Sequence, residues 1–526
     1  MQVDLKPLEF DAVRRLLERL TATPYGADAA RALEPAPSLA DARHMQAAVS
    51  AARELADSGR RPLTGQLPDV RAALRQAASP GAVLSSQALT NLQKVMDASR
   101  GLADGLADMP AIYPGNLTDL HPPEVLQGQL SRTLVGGGSL RDDASETLVD
   151  LFEQRRGLRA QAEEAVRQRM AKPDLKDLLD DPEKVQWHNE RAVIVVRGKH
   201  ADKVKGVRRG SAMGGRDQIV EPMEAVPHNN RLETVNGQIT SEQQRILREI
   251  TAAVREHGEA LQTMVSGLTW VDLALAAGQL SHHMNAHAPT LSDGPEVELR
   301  EAYHPLLLVQ FADGSGPQPV PLSIRLDRGS PILLVTGPNT GGKTVALKTL
   351  GLLTAMAHCG LHIPAEQDCR IGTYDRVIVD VGDHQSLFHH LSTFAGHVEV
   401  LKRILSEAHE DSLVLLDELG TGTDPEEGAA LAMAVLDELV GRRVQGIINT
   451  HLSPLKDYAE RTDGVRNASM QFDHQALKPT YRLEIGVPGV SLGLTIAENN
   501  GLPPALVERA RGHLQQLSHV ASSPGA

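Results

Sequence analysis

At 526 residues, 41% of them hydrophobic, the chain can bury several cores, and a length prior of roughly three or four domains excludes one small module. A net charge of −14 with only 3% aromatic residues excludes a surface coated in nucleic acid and a platform of stacked bases, because counterion release needs Lys and Arg and stacking needs rings. The two cysteines, Cys359 and Cys369, have no metal-like His/Cys cluster nearby and read as buried reduced thiols, which points to the cytoplasm.

The amino terminus, MQVDLKPLEF, carries acids where a signal peptide needs bases, and no uncharged apolar run of roughly 18 residues follows, so neither export nor a membrane partner is expected. Residues 1–143, rich in Ala, Leu and Arg as in FDAVRRLLERL, read as a helical core domain. A long helical pattern occupies 144–174, and a returning helix with further core takes up 231–295, so two helices go out and come back. Between them, 175–230 has β-branched runs broken by Gly, as in RAVIVVRGKHADKVKGVRRGSAMGGRDQIVEP, the pattern of short strands and turns. It reads as a small β-rich tip on a helical stalk. From Arg191 to Arg209 this tip holds Arg191, Arg197, Lys199, Lys203, Lys205, Arg208 and Arg209 against Asp202, a net +6 on an acidic chain. Two readings stay open, a solvated charged hairpin and a grip on phosphates.

Residues 296–515 alternate apolar strands (PILLV, RVIVDVG, SLVLLDE, VQGIINTH) with helices, which implies an α/β domain with a parallel sheet covered on both faces. The tail 516–526 reads as disordered. Gly337, Pro338, Asn339, Thr340, Gly341, Gly342, Lys343 and Thr344 fit G-x-x-x-x-G-K-[ST] between a strand and a helix. In that context backbone N–H groups and the helix dipole meet a phosphate, Lys343 reaches the β- and γ-phosphates, and the Thr344 hydroxyl ligates Mg²⁺. Asp417, closing SLVLLD on an expected neighbouring strand, supplies the magnesium-linked acid, and Glu418 is placed to orient or deprotonate the attacking water. His451 closes another strand, where an imidazole can face the γ-phosphate or serve structure alone. Asp424, Pro425 and Glu427 read as a capping-box-like helix start.

GPNTGGKT, STF at Ser392 to Phe394, DELGTGTDPEEG from Asp417 and TH at Thr450 and His451 together resemble the MutS ATPase family, in this order and spacing. Nearly the whole chain is similar to its second bacterial subfamily, through LEF at Leu8, DDASETL from Asp142, IVEP from Ile219, GLHIPA from Gly360, NAS from Asn467, PTYRLEIGVPG from Pro479 and GLP from Gly501. The resemblance implies a mixed fold: an all-α core, lever helices carrying a small β-rich clamp, then an ABC-type P-loop ATPase domain whose last helices help dimerisation. It implies a homodimer using ATP and Mg²⁺, with residues 337–344 on the nucleotide, Thr344 and Asp417 on the metal, and Glu418 and His451 catalytic. Ser392, Thr393, Gly420, Gly422, Thr423 and Asp424 would form the loops near the composite site, and Arg197, Lys199, Lys203, Lys205, Arg208 and Arg209 the nucleic-acid contacts.

The implied task is to enclose branched or double-stranded DNA and limit homologous recombination; the same subfamily also suggests the ribosome and its rRNA, in splitting collided ribosomes. A transporter ATPase should carry an LSGGQ-like run before Asp417, where this chain reads EVLKRILSEAHED. No mismatch-reading domain with a Phe-x-Glu wedge is visible, which disfavours mismatch repair. Two departures stand out: SAMGGRD from Ser211 replaces the subfamily's SxSGxT, and the sequence stops at Ala526 where members continue into a coiled coil and an Smr nuclease module. Binding of nucleic acid without cutting is the expectation.

Overall fold

The structure, a computed structural model, describes residues 1–175, 177–212, 216–337, 341–381, 393–473, 478–489, 493–499 and 501–521. Two compact units emerge, one of 67–104 and 118–266, the other of 1–66, 105–117 and 267–526. The stretch 1–143, expected as one helical core, is divided between them.

In the first unit, Ser145 caps the helix Glu146–Met170 by accepting the Leu148 N–H at 3.1 Å, a local signal in the DDASETL run. At 1.5 Å per residue this helix is about 37 Å long. The helix Val226–Glu256 lies beside it. Ser145 bonds Glu242 well along that second helix at 2.8 Å, while Arg169 near the end of the first pairs with Glu224 just before the second begins, so the two run antiparallel. Between them Gln186–His188, Arg191–Val196, Gln218–Pro222 and Gly206–Ser211 form an antiparallel sheet in that order. The continuous apolar run in Arg191–Val196 follows from burial on both faces: Ala192, Ile194 and Val196 pack with Ala162, Val166 and Met170 of the first long helix, while Val193 and Val195 join Ile219 on the other side.

The second unit is built on a seven-stranded sheet: β1 (Gln2–Val3), β2 (Ile332–Thr336), β3 (Arg376–Asp380), β4 (Ser412–Leu416), β5 (Gln445–Thr450), β6 (Val465–Asp473) and β7 (Lys478–Ile485), in spatial order β1-β3-β4-β5-β2-β6-β7. Every neighbouring pair is parallel except β6 with β7. Strands β2 and β4 are buried at every residue, as a parallel sheet covered on both faces requires. Helix Pro425–Gly441 packs Ala432, Leu436 and Leu439 onto this core. The amino terminus joins the sheet at its edge through β1, and Asp4 accepts the Val379 N–H at 3.1 Å and pairs with Arg403 at 2.8 Å.

The helix Gly258–His283 is long and apolar enough to cross a membrane, yet 67% of its apolar window is buried inside the protein. Its Asp272 receives the N–H groups of Ala22 and Thr23 at 2.9 and 2.8 Å and the Thr23 hydroxyl at 2.6 Å. Burial raises the Asp272 pKa and these three bonds oppose it, the pattern of a core helix that orders the chain crossing it.

Candidate nucleotide site

Strand β2 delivers Gly337 at φ +123°, and Gly342, at φ +96°, starts the helix Lys343–His358. Both angles lie where a Cβ would strain the backbone. Pro338, Asn339 and Thr340 lie outside the described residues, as does Ser392; Thr393 and Lys199 are described in their backbone alone. The Gly341 and Gly342 backbone is also crowded from behind: a Cβ would stand 3.0 Å from Met470 at the first and 3.2 Å from the Tyr481 ring at the second.

Lys343 is 3% exposed and donates from Nζ to the Gly337 carbonyl. Burial lowers its pKa, and the charges of Asp417 and Glu418 work against that shift. A buried ammonium held by a loop carbonyl favours any anion brought to that loop. Thr344 donates its hydroxyl to Asp417 Oδ2 at 2.6 Å, and Asn449 donates Nδ2 to Asp417 Oδ1 at 3.1 Å. Strand β5 lies between β2 and β4, so Asp417 comes from the next strand but one, and the strand between contributes Asn449. Asn449 is fully buried, and its Oδ1 has no hydrogen-bond partner among the described residues.

Glu418 follows in the left-handed region at φ +57° and is exposed. Thr450 ties the end of β5 to the same turn by donating to the Leu419 carbonyl at 3.1 Å, and His451 is exposed immediately after it. The strand ends therefore gather Lys343, Thr344, Asp417, Glu418 and His451 along the carboxyl edge of one parallel sheet, the usual place for ligands in such sheets.

Beyond Glu418 the loop bends at Gly420 (φ +83°) and Gly422 (φ +88°). A Cβ on Gly422 would stand 3.3 Å from the Phe394 backbone, so the Gly-rich loop lies against the start of the helix Thr393–Glu407. Asp424 caps the next helix by accepting the N–H of Glu426 at 2.9 Å and of Glu427 at 3.3 Å. The expected capping box is only half formed, because Glu427 takes the Thr423 hydroxyl at 3.4 Å.

Beside the loop, a cavity of about 400 Å³ is lined by Pro321, Gly342, Thr344, Val345, Met470 and Tyr481 among others. It is predominantly apolar with one aromatic ring, a surface suited to a flat heterocycle. Sequence reasoning missed this wall, because its residues are scattered over strands and loops without a motif. It also missed Asn449, Asp380 and His397. Asp380 carries the same signature as Asp417, an acid closing an apolar strand, and that signal was available in RVIVD. His397 Nδ1 lies 3.8 Å from Asp380 Oδ2.

The basic tip is less free than its charge count suggested. Glu221, fully buried in the tip sheet, accepts Arg191 at 2.8 Å, Arg209 at 2.7 Å and Asn229 at 2.9 Å. Arg208 is paired with Asp202. Arg197, Lys203 and Lys205 are exposed.

Residues 333–518 match the MutS domain V family. Over 518 residues the chain is 36% identical to the protein called Endonuclease MutS2 in Symbiobacterium thermophilum, covering 97% of this chain and 63% of that protein. The MutS2 of Thermus thermophilus is 36% identical over 522 residues, at 97% and 66% coverage, and that of Carboxydothermus hydrogenoformans 39% identical over 393 residues, at 75% and 49%. The chain thus spans at most 66% of the length of these curated relatives. With the glycine loop, the strand-end acids and the matched span converging on one sheet, the chain belongs to the MutS family, in its MutS2 branch.

Proposed function

We propose that this chain is an ATP-hydrolysing, homodimeric nucleic-acid clamp. The observation that carries the ATPase reading is the buried Lys343 ammonium at a glycine loop, beside the Thr344 and Asp417 oxygens 2.6 Å apart. Those residues fit the groups they would hold. A hydroxyl next to a carboxylate is a hard oxygen pair suited to Mg²⁺, and Lys343 with the left-handed glycines suits a polyphosphate. When bound, Mg²⁺ would neutralise charge on the β- and γ-phosphates. Lys343 lends its positive charge to the same oxygens, Asn449 keeps the Asp417 carboxylate oriented, and Glu418 takes a proton from the attacking water. His451, at the end of β5, is in place to follow the state of the γ-phosphate. The apolar wall with Tyr481 would take the base.

Support for a dimer comes from the carboxy-terminal helices. Leu506 and Leu514 of the helix Pro504–Ala521 are 44% and 58% exposed, with Leu502 just before it at 44%. Leu506 and Leu514, eight apart, share one helix face, and with Leu502 beside its start they make an apolar stripe that a second copy would cover. Support for nucleic acid comes from exposed Arg197, Lys203 and Lys205 at the end of two long helices, and the double-stranded or branched DNA of the MutS family is the partner we assign.

The test is steady-state ATP hydrolysis beside nucleotide binding. Glu418→Ala should lower kcat by about 10²- to 10⁴-fold, the range for a lost general base, while keeping ATP affinity; Lys343→Ala should lose affinity. Turnover at the normal rate in Glu418→Ala would overturn the assignment.

A further inference from the structure

We propose that His397 is a positioning residue for the Asp417–Glu418 pair, acting through the buried carboxylate of Asp380; this rests on the ATPase reading above. Asp380 closes β3 and is 7% exposed. A carboxylate so deep in a protein needs a positive or donating partner, and His397 lies across from it at ion-pair distance, 3.8 Å. The Asp380 carbonyl accepts the Asp417 N–H at 2.9 Å. His397, Asp380 and Asp417 therefore form a chain that ends one residue before Glu418, whose own backbone is held at φ +57°.

Three observations separate this role from plain helix docking. The helix Thr393–Glu407 is already anchored at its far end, by Arg403 to Asp4 at 2.8 Å, Glu407 to Arg376 at 2.6 Å and the fully buried Ile404. His397 is the fifth residue of that helix, past its first turn, so the helix dipole does not account for a positive imidazole there. The interaction with Asp380 does, raising the His397 pKa, with partial burial opposing and the Glu418 charge adding to the rise. Glu418 thus belongs to the same electrostatic group as His397, and the helix that presents His397 begins where Phe394 meets Gly422 of the loop after Glu418. A shift of that helix would be felt at the hydrolytic acid through His397 and Asp380.

The experiment uses the full chain, with kcat, KM and nucleotide affinity measured for wild type, His397→Gln, Asp380→Asn and the double variant, and Tm recorded for each. His397→Gln should lower kcat by about tenfold, the scale of a small misplacement of a catalytic group, with affinity and Tm little changed. Asp380→Asn should do the same. The double variant should be no worse than the poorer single, because both changes interrupt the same contact. An active wild type with unchanged kcat in His397→Gln overturns the proposal alone, and so do losses that multiply in the double variant, or a fall in Tm that takes kcat and affinity down together. A wild type that binds ATP without turning it over overturns the ATPase reading, and this proposal with it.

Discussion

Lys343 and Glu221 are both buried charges, one in each unit, and the protein treats them in opposite ways. Glu221 is fully enclosed and draws in Arg191, Arg209 and Asn229, so the basic tip spends part of its charge on its own core. Lys343 is almost as enclosed, yet its amine rests on a loop carbonyl, and burial rather than charge dominates its pKa. A buried charge ringed by opposite charge organises a fold; one held at a glycine loop beside an open cavity is placed to meet a ligand. The difference separates a structural ion cluster from a binding site where composition alone shows two charged regions.

The sharpest way to break this comparison is to replace each centre by a neutral residue of similar size. Lys343→Met should leave the stability of the nucleotide-free protein within about 1 kcal/mol, since a buried charge exchanged for an apolar chain is often neutral or better. It should still lower nucleotide affinity by roughly 100-fold or more, the scale of a desolvated charge pair lost. Calorimetric binding with thermal unfolding of the same samples checks both halves, and a strongly destabilised Lys343→Met would mean that the lysine is structural. Glu221→Ala should do the reverse. Arg191 keeps Glu233 and Arg209 is a third exposed, so the loss of their shared carboxylate should cost about 1 to 3 kcal/mol, and hydrogen exchange over 186–222 should accelerate while ATP hydrolysis persists.

These residues also show what could be read in advance. The glycine loop was legible because its residues are consecutive and their geometry is local. Asp417 was legible for the same reason, closing an apolar run that its neighbours within a few positions mark as a strand. Asn449 was not, because it reaches Asp417 across 32 positions from a strand inserted between β2 and β4. The pairing within the tip was hidden on the same ground: Glu221 lies 30 residues from Arg191 and 12 from Arg209, so a count stopping at Arg209 omitted this buried acid. The strand β1 at the sheet edge was invisible for a related reason, since two residues carry no periodicity and its partner β3 begins at Arg376.

A third buried group extends the comparison to one that holds no charge. His304 is 8% exposed, its Nδ1 has no hydrogen-bond partner among the described residues, and burial holds its pKa down to about 4, with the Glu9 charge opposing and the Lys348 charge assisting. The unfolded chain takes up this proton near pH 6.5 and the folded one only near 4, so between those values the unfolded state binds more protons and stability falls as pH falls. The full effect of one such group is about 3 kcal/mol. Urea unfolding of wild type and His304→Gln at pH 7.5 and pH 4 should show wild type losing more stability by about that amount. Parallel losses would place the titration elsewhere.

The smallest effect tests the tip itself. Each Lys or Arg that neutralises a phosphate adds nearly one unit to the slope of log affinity against log salt. Lys203 and Lys205 are exposed, whereas Arg209 is committed to Glu221 and Arg208 to Asp202. Replacing both lysines by Gln should therefore flatten the slope for duplex or junction DNA by about one to two units, weakening every sequence alike. Arg209→Gln should flatten it less while loosening the tip, because its guanidinium already answers a carboxylate. Titrations between 50 and 200 mM salt, roughly the range over which such contacts show, distinguish the two classes of base. A lysine pair that leaves the slope unchanged would make the tip an ordinary solvated hairpin. An arginine that flattens the slope as much as the lysines would mean that nucleic acid competes with Glu221 for it, and the contrast between the two buried charges would then hold only in the unbound protein.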